Sequence, residues 1–180
     1  PMYHAGAWNT SVLRALVEGL PVVLEKRFSV QNFWQRIDKF KATQSFTLGA
    51  MHMFLWNVPN RTSDADNCLR ILQAIPISKD LVAPFEKRFG LRIAGSGLGQ
   101  SECMLITTQA GATLPIPDNS IGFARPDAEV GVFDDQDQQL PDGSVGEIRI
   151  KPLAPYIICN GYLDDPIDTS QSWKGDWFCR

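Results

Sequence analysis

The chain is 180 residues long, with 44% hydrophobic and 21% charged residues, enough to bury a core in one domain or two small ones. Lys+Arg 17 against Asp+Glu 20 leaves a net charge of -3 with no long block of one sign, which argues against nucleic acid or an anionic membrane as partner. No apolar run approaches the roughly 18 residues of a membrane helix, and the first residues lack a secretory layout, so neither membrane insertion nor export is expected. Four scattered cysteines, 68, 103, 159 and 179, show no metal-ligand spacing and read as reduced thiols of a cytoplasmic protein. Beginning Pro1-Met2 and stopping at Cys179-Arg180, the chain reads as a piece of a longer protein.

In chain order, Val22-Val23-Leu24 is β-branched and apolar and predicts a buried strand. Ser29 then caps a predicted helix whose Val30, Phe33, Trp34, Ile37 and Phe40 share one face at a 3.6-residue period, with Lys39 and Lys41 near its C-terminus. Residues 44–48 read as a strand, 50–56 as a short apolar helix, and 60–67 as a loop. A strand over 69–74 is followed by Ser78, a second cap, and a helix carrying Leu81, Val82, Phe85 and Phe89 to a stop at Gly90. Pro84, lacking an N–H, predicts a kink or a start near 82. With a last strand at 91–94, the alternation predicts right-handed βαβ units and a mostly parallel sheet.

Beyond Glu102 the texture changes to antiparallel β, a partial barrel, with strands at 129–133 and 147–151 around turn-forming Asp134, Asp135, Asp137 and Pro141-Asp142-Gly143. The fold class is therefore α/β, a parallel subdomain over 1–102 followed by a smaller antiparallel region over 103–180. The acidic cluster lacks the Gly and terminal Glu of a calcium loop and reads as a hairpin turn. Trp173, Trp177 and Phe178 read as core or interface aromatics.

The densest chemical signal is Gly95 to Glu102, GSGLGQSE, behind a predicted strand. Glycines let backbone amides approach an anion, and the carboxyl end of a parallel strand is where open α/β sheets hold ligands. The stretch is neither GxGxxG nor a phosphate loop of the GxxxxGK[ST] type, and Cys103 breaks the GxSxG template of a serine nucleophile. Of the two histidines, His52 lies in an apolar helix and reads as packed or surface-pointing. His4 lies in PMYHAGAW, where small residues beside Tyr3 and Trp8 suit either a ligand-pocket wall or an aromatic-rich helix start.

PMYHAG, LQAIPISKDLVAPFEKRFG, GLGQSE, SIGFARP, PDGSVGEIRIKP, NGYLDDP and GDWFCR follow one another in the order and spacing of segments in the adenylate-forming superfamily. The chain resembles the central part of that superfamily's large domain (acyl-CoA synthetases, luciferases, adenylation domains), and within it the crotonobetaine/carnitine-CoA ligase-like and medium-chain synthetase branches. The resemblance implies a carboxylate activated by ATP as acyl-adenylate and passed to coenzyme A. It further implies Glu102 as Mg²⁺ ligand and Ser101 as hydroxyl donor to the α-phosphate, both catalytic. Gly99 would allow close backbone approach, Pro76 would sit beside the adenine, His4 would line the acyl or pyrophosphate side, and Trp8 would wall the acyl pocket.

The superfamily's motif tyrosine is Leu98 here, and two motif glycines are Gln73 and Ala74. Its phosphate loop, ribose-binding aspartate and catalytic lysine are expected in parts of a parent chain outside these residues, so the piece alone is expected to be inactive. Two other readings stand beside this one: a non-catalytic α/β fragment or degenerate paralogue, and a serine hydrolase using Ser101.

Overall fold

The structure, a computed structural model, describes residues 2–95, 97–109, 115–118 and 120–179. Ser96, inside the glycine-rich stretch, lies outside the described residues. The chain divides into two compact units, residues 1–97 with 109–122, and residues 98–108 with 123–180. The sequence instead suggested a single cut after Glu102.

The first unit opens with α1 (Ala5–Ala7), a π-helical segment (Trp8–Leu13) and α2 (Arg14–Glu18), a helical run of which Val12 and Ala15 are buried. Then come α3 (Phe33–Phe40), β1 (Gln44–Leu48), α4 (Ala50–Trp56), β2 (Ile71–Ile75), α5 (Lys79–Phe89) and β3 (Arg92–Ala94). The three strands form a parallel sheet in the order β1-β2-β3, as the strand-helix alternation requires. Their register pairs Gln44 with Ile71 and Ile71 with Arg92.

Three expectations are corrected here. Val22-Val23-Leu24 forms no strand: it is irregular and exposed, because a three-residue apolar run without a pairing neighbour gains neither ladder bonds nor burial. Asn32 rather than Ser29 stands at the N-cap position of α3, without a side-chain cap bond, and Phe40 at its far end is 41% exposed, having passed the edge of the core. Helix α5 runs through Pro84. Both Pro84 and Asp80, whose carbonyl the missing N–H would have met, are exposed, so the lost bond falls on the solvent side of the helix, where it costs least.

The core of this unit is aromatic. Leu55, Leu72, Phe85 and Phe89 are at most 1% exposed. Trp34 stacks on Phe89 at 4.7 Å between ring centroids, Phe89 meets Phe85 at 4.6 Å, and Phe85 meets Trp56 at 6.0 Å. Arg88 closes this row from the side. Its guanidinium lies over the Phe89 and Trp56 rings, donates to the Val58 carbonyl at 2.7 Å and pairs with Asp64 at 2.7 Å. A cation laid on ring faces and fully hydrogen-bonded can be buried without an unmatched charge.

The second unit holds two sheets. In one, β4 (Gly97–Gln100), β5 (Met104–Thr108) and β6 (Phe123–Ala124) lie in the order β4-β5-β6. In the other, β7 (Ala128–Phe133), β8 (Glu147–Pro152), β9 (Trp173–Lys174) and β10 (Trp177–Phe178) lie in the order β7-β8-β10-β9, all pairs antiparallel. Helix α6 (Pro166–Gln171) precedes β9, capped by the Asp165 carboxylate, which accepts from the Asp168 N–H. The acidic cluster is the expected turn: Asp134 Oδ1 accepts from the N–H groups of Gln136 and Gln138, each at 2.9 Å.

Cys103, Ile106, Ala128, Ile150, Ile158 and Phe178 make the smaller core. Trp173 packs against it edge-on to Phe178, and the partly buried Trp177 meets Phe133 at 4.8 Å, so of the three C-terminal aromatics Phe178 is the core residue and the two tryptophans flank it. Arg149, 4% exposed, reaches Asp137 at 2.5 Å and Glu147 at 2.6 Å and lies over the Phe133 ring.

Candidate functional site

The Ser101–Glu102–Cys103 turn joins β4 to β5, and the reason for its neighbouring glycine is steric. A Cβ on Gly99 would stand 1.9 Å from the Met104 carbonyl oxygen, so β4 and β5 can approach only if position 99 carries no side chain. Gly99 therefore serves the turn itself. The Leu98 N–H donates to Thr107 Oγ1 at 2.9 Å, and the Cys103 N–H to the Gln100 carbonyl. These bonds present Ser101 exposed and Glu102 half-buried, with Cys103 fully buried as the anchor. Burial pushes the Cys103 thiol up, which keeps it protonated and inert.

Ser101 and Glu102 line a cleft of about 290 Å³ together with Met104, Tyr156, Ile157, Ile158, Cys159 and Asn160. Glu102 is held at both ends. Its main-chain carbonyl accepts from the Cys159 N–H at 2.6 Å, and its Oε1 accepts from the Tyr162 hydroxyl at 2.9 Å. Among the described residues its second oxygen, Oε2, has no hydrogen-bond partner and no cation pairs with the carboxylate.

Within the first unit a second cleft, of about 330 Å³, opens at the carboxyl ends of β2 and β3. Pro76 and Ile77, Ile93 to Gly95, and Ile116 to Asp118 line it, with the Lys79–Asp118 ion pair at its rim. Gln109 Nε2 donates to the Ser120 carbonyl at 2.7 Å and ties the returning segment down. The carboxyl edge of a parallel sheet is the expected ligand position in an α/β fold. Gln73 and Ala74 lie inside β2, Ala74 fully buried, and so belong to the sheet rather than to the loop beside Pro76.

His4 and Trp8 line neither cleft. His4 is an exposed helix cap whose Nδ1 accepts from the Gly6 N–H at 3.0 Å, and Trp8 is 42% exposed at the start of the π-helical segment. His52 is buried to 1% exposure, with Nδ1 3.4 Å from Thr47 Oγ1 and a hydrogen bond to the Pro76 backbone. Burial lowers its pKa below the ordinary 6.5 despite that bond, so it is a neutral packed residue supporting the loop beside the second cleft. Neither imidazole is among the residues that line the cleft of Ser101.

The adenylate-forming resemblance meets its decisive observation in a family model, AMP-binding enzyme, that matches residues 1–163. The chain belongs to the AMP-binding enzyme family. Relatives of this family member include a crotonobetaine/carnitine–CoA ligase of Escherichia coli O17:K52:H18, 28% identical over 178 residues, and one of Salmonella heidelberg, 28% identical over 174. The alignments cover 98% and 96% of this chain but 34% and 33% of the relatives, so the chain spans about a third of their length.

Two solved structures compare over 99% of the chain and 36% of their own. A benzoate CoA ligase from Burkholderia xenovorans LB400 gives a TM-score of 0.83 at 20% identity. The O-succinylbenzoate coenzyme A synthetase of Bacillus subtilis, solved with ATP and magnesium ion, gives 0.75 at 20% identity. At that identity they establish the α/β fold, with its parallel and antiparallel sheets. Among the described residues no helix is long and apolar enough to cross a membrane.

What sequence reasoning missed is Tyr162. It lies sixty positions from Glu102, and only its place in NGYLDDP, a segment matched to the family, could have drawn attention to it.

Proposed function

We propose that this AMP-binding family chain is the central part of an ATP-dependent acid–thiol ligase, which activates a small carboxylic acid as acyl-adenylate and transfers it to coenzyme A. The observation that carries the reading is the Glu102 carboxylate, fixed beside Ser101 on an open cleft with one oxygen unpartnered among the described residues. A cytoplasmic setting goes with it, in keeping with four free cysteines.

The donor set suits Mg²⁺. No group of three or more acidic, His or Cys side chains that could hold a metal occurs among the described residues, and Mg²⁺ characteristically takes one or two carboxylates and completes its shell with water and phosphates. Glu102 would hold it, and when bound it supplies charge neutralisation at the phosphates. Ser101, exposed at the turn, would donate its hydroxyl to the α-phosphate. Pro76 would sit against the adenine, from the carboxyl edge of the parallel sheet. Trp8 and His4 would face the acyl group, and coenzyme A would enter as thiol co-substrate. Catalysis of this kind is positioning and charge stabilisation, so the 180 residues alone are expected to catalyse little and to act within the longer parent.

Glu102→Gln in the parent protein keeps the shape and removes the charge. It is expected to lower acid-dependent ATP–pyrophosphate exchange by about 10²-fold or more, the scale of losing one electrostatic contact to a transition state. A rate unchanged at limiting Mg²⁺ overturns the assignment. A degenerate paralogue is the second reading, favoured by Ala74 being locked into β2 where the superfamily has glycine. No exchange by the unsubstituted parent with any acid of a short- to medium-chain panel would establish it.

A further inference from the structure

We propose that Tyr162 is the positioning residue of the Glu102 carboxylate, holding Oε1 through its phenol so that Oε2 is the oxygen offered to a divalent cation. The inference rests on the reading of Glu102 as Mg²⁺ ligand given above.

Three observations support it. The donor is neutral: a Lys or Arg partner would satisfy the carboxylate's charge and compete with the cation, whereas a phenol O–H fixes one oxygen and leaves the negative charge in place. Tyr162 is itself held. Its backbone N–H donates to Thr169 Oγ1 at 2.8 Å, and that hydroxyl donates to the Asp165 carbonyl at 2.8 Å, so the tyrosine is tied to the first turns of α6. The chain can turn there only because Gly161 takes φ of +139°, and a Cβ on it would meet Thr169 Cγ2 at 2.7 Å. Finally, the Cys159 N–H fixes the Glu102 main chain from the same segment, so backbone and side chain are both set by residues 159–162.

An unrestrained glutamate samples many rotamers, and the cation must then pay to select one; a carboxylate already fixed by its neighbours avoids that cost. Removing the hydrogen-bond partner of a metal ligand typically costs ten- to a hundred-fold in metal affinity.

The test uses the full-length parent with an unreactive ATP analogue and Mn²⁺ as probe, bound metal being read by electron paramagnetic resonance. Tyr162→Phe keeps the ring and removes the hydroxyl. It is expected to weaken Mn²⁺ binding about tenfold or more while metal-free nucleotide affinity and thermal midpoint stay close to the unsubstituted protein. In turnover the Mg²⁺ concentration for half-maximal rate rises, and the rate at saturating Mg²⁺ recovers. Unchanged Mn²⁺ affinity in Tyr162→Phe, with affinity lost in Glu102→Gln, overturns the positioning role and leaves the ligand reading standing. Unchanged affinity in Glu102→Gln overturns both. Thr169→Val keeps the phenol but frees its backbone anchor. It is expected to weaken Mn²⁺ a few-fold and serves as the test if Tyr162→Phe does not fold, no weakening then overturning the proposal.

Discussion

The two units are held together by different means. In the first, four aromatic rings and Arg88 form one continuous row against a parallel sheet, with Phe85 and Phe89 fully buried and Trp34 and Trp56 partly buried at its ends. In the second, the buried cluster is mainly aliphatic, with Phe178 its one aromatic member, and polar links fasten the elements around it: Arg149 across the β7–β8 hairpin, Asp165 on α6, Tyr162 on Glu102. A core built on ring packing tolerates little change of volume, whereas a scaffold fastened by polar links responds to pH and to the loss of single donors. The acidic residue suited to cation chemistry lies in the second kind of scaffold, where its orientation can be set by one hydroxyl.

The largest test of this contrast is Phe85→Ala, which removes a ring touching both Phe89 and Trp56. It is expected to cost about 3–5 kcal/mol in urea unfolding of the protein, and a loss below about 1 kcal/mol would show the aromatic row to be loosely packed. Asp165→Ala probes the polar fastening. Its side chain caps α6, so a loss of about 1 kcal/mol is expected, together with faster amide exchange over 166–171.

pH separates the units by different groups. His52 is depressed by burial, so the unfolded chain binds its proton more readily; the stability it contributes is present above the ordinary 6.5 and is lost as pH falls below it. The hydrogen bond from Arg149 holds Asp137 below its ordinary 3.8, so its contribution is present above that value and lost as pH falls through the lowered one. Two acid steps are therefore expected, and His52→Gln should remove the upper one only. A denaturation profile flat between pH 7 and 5 would contradict the first. The smallest effect is Ser78→Ala: Ser78 stands at the N-cap of α5 but makes no side-chain cap bond, so the change is expected to stay within about 0.5 kcal/mol.

Much of the first unit was legible because its elements announce themselves locally. Residues 44–48 and 50–56 form the strand and helix expected, and the helix faces of Ile37 and Phe85 are the buried ones. Where the reading failed, local chemistry was outweighed by what surrounds it. Val22 to Leu24 have strand-forming side chains and no partner strand. Helix α6 went unread although Asp165-Pro166 is a sound start signal, an acidic cap before a proline at the first helical position. In the candidate site, glycine spacing and the Ser-Glu pair drew attention to the turn that lines the Ser101 cleft, while the close approach of the Met104 carbonyl to Gly99 could not be read from the sequence. The Tyr162–Glu102 contact joins residues whose neighbourhood depends on the fold of everything between, and no periodicity encodes it.

The division of the chain has a consequence for how the protein is made. Residues 98–108 belong to the second unit, but 109–122 return to the first before 123 resumes the second. Synthesised from the N-terminus, the Glu102 turn leaves the ribosome before the first unit has received its last segment, and β5 must wait for Phe123 and Ala124 to become its neighbour. No single genetic cut yields two whole units, so truncations and domain exchanges between family members should break at two places or carry 98–122 intact with both flanks.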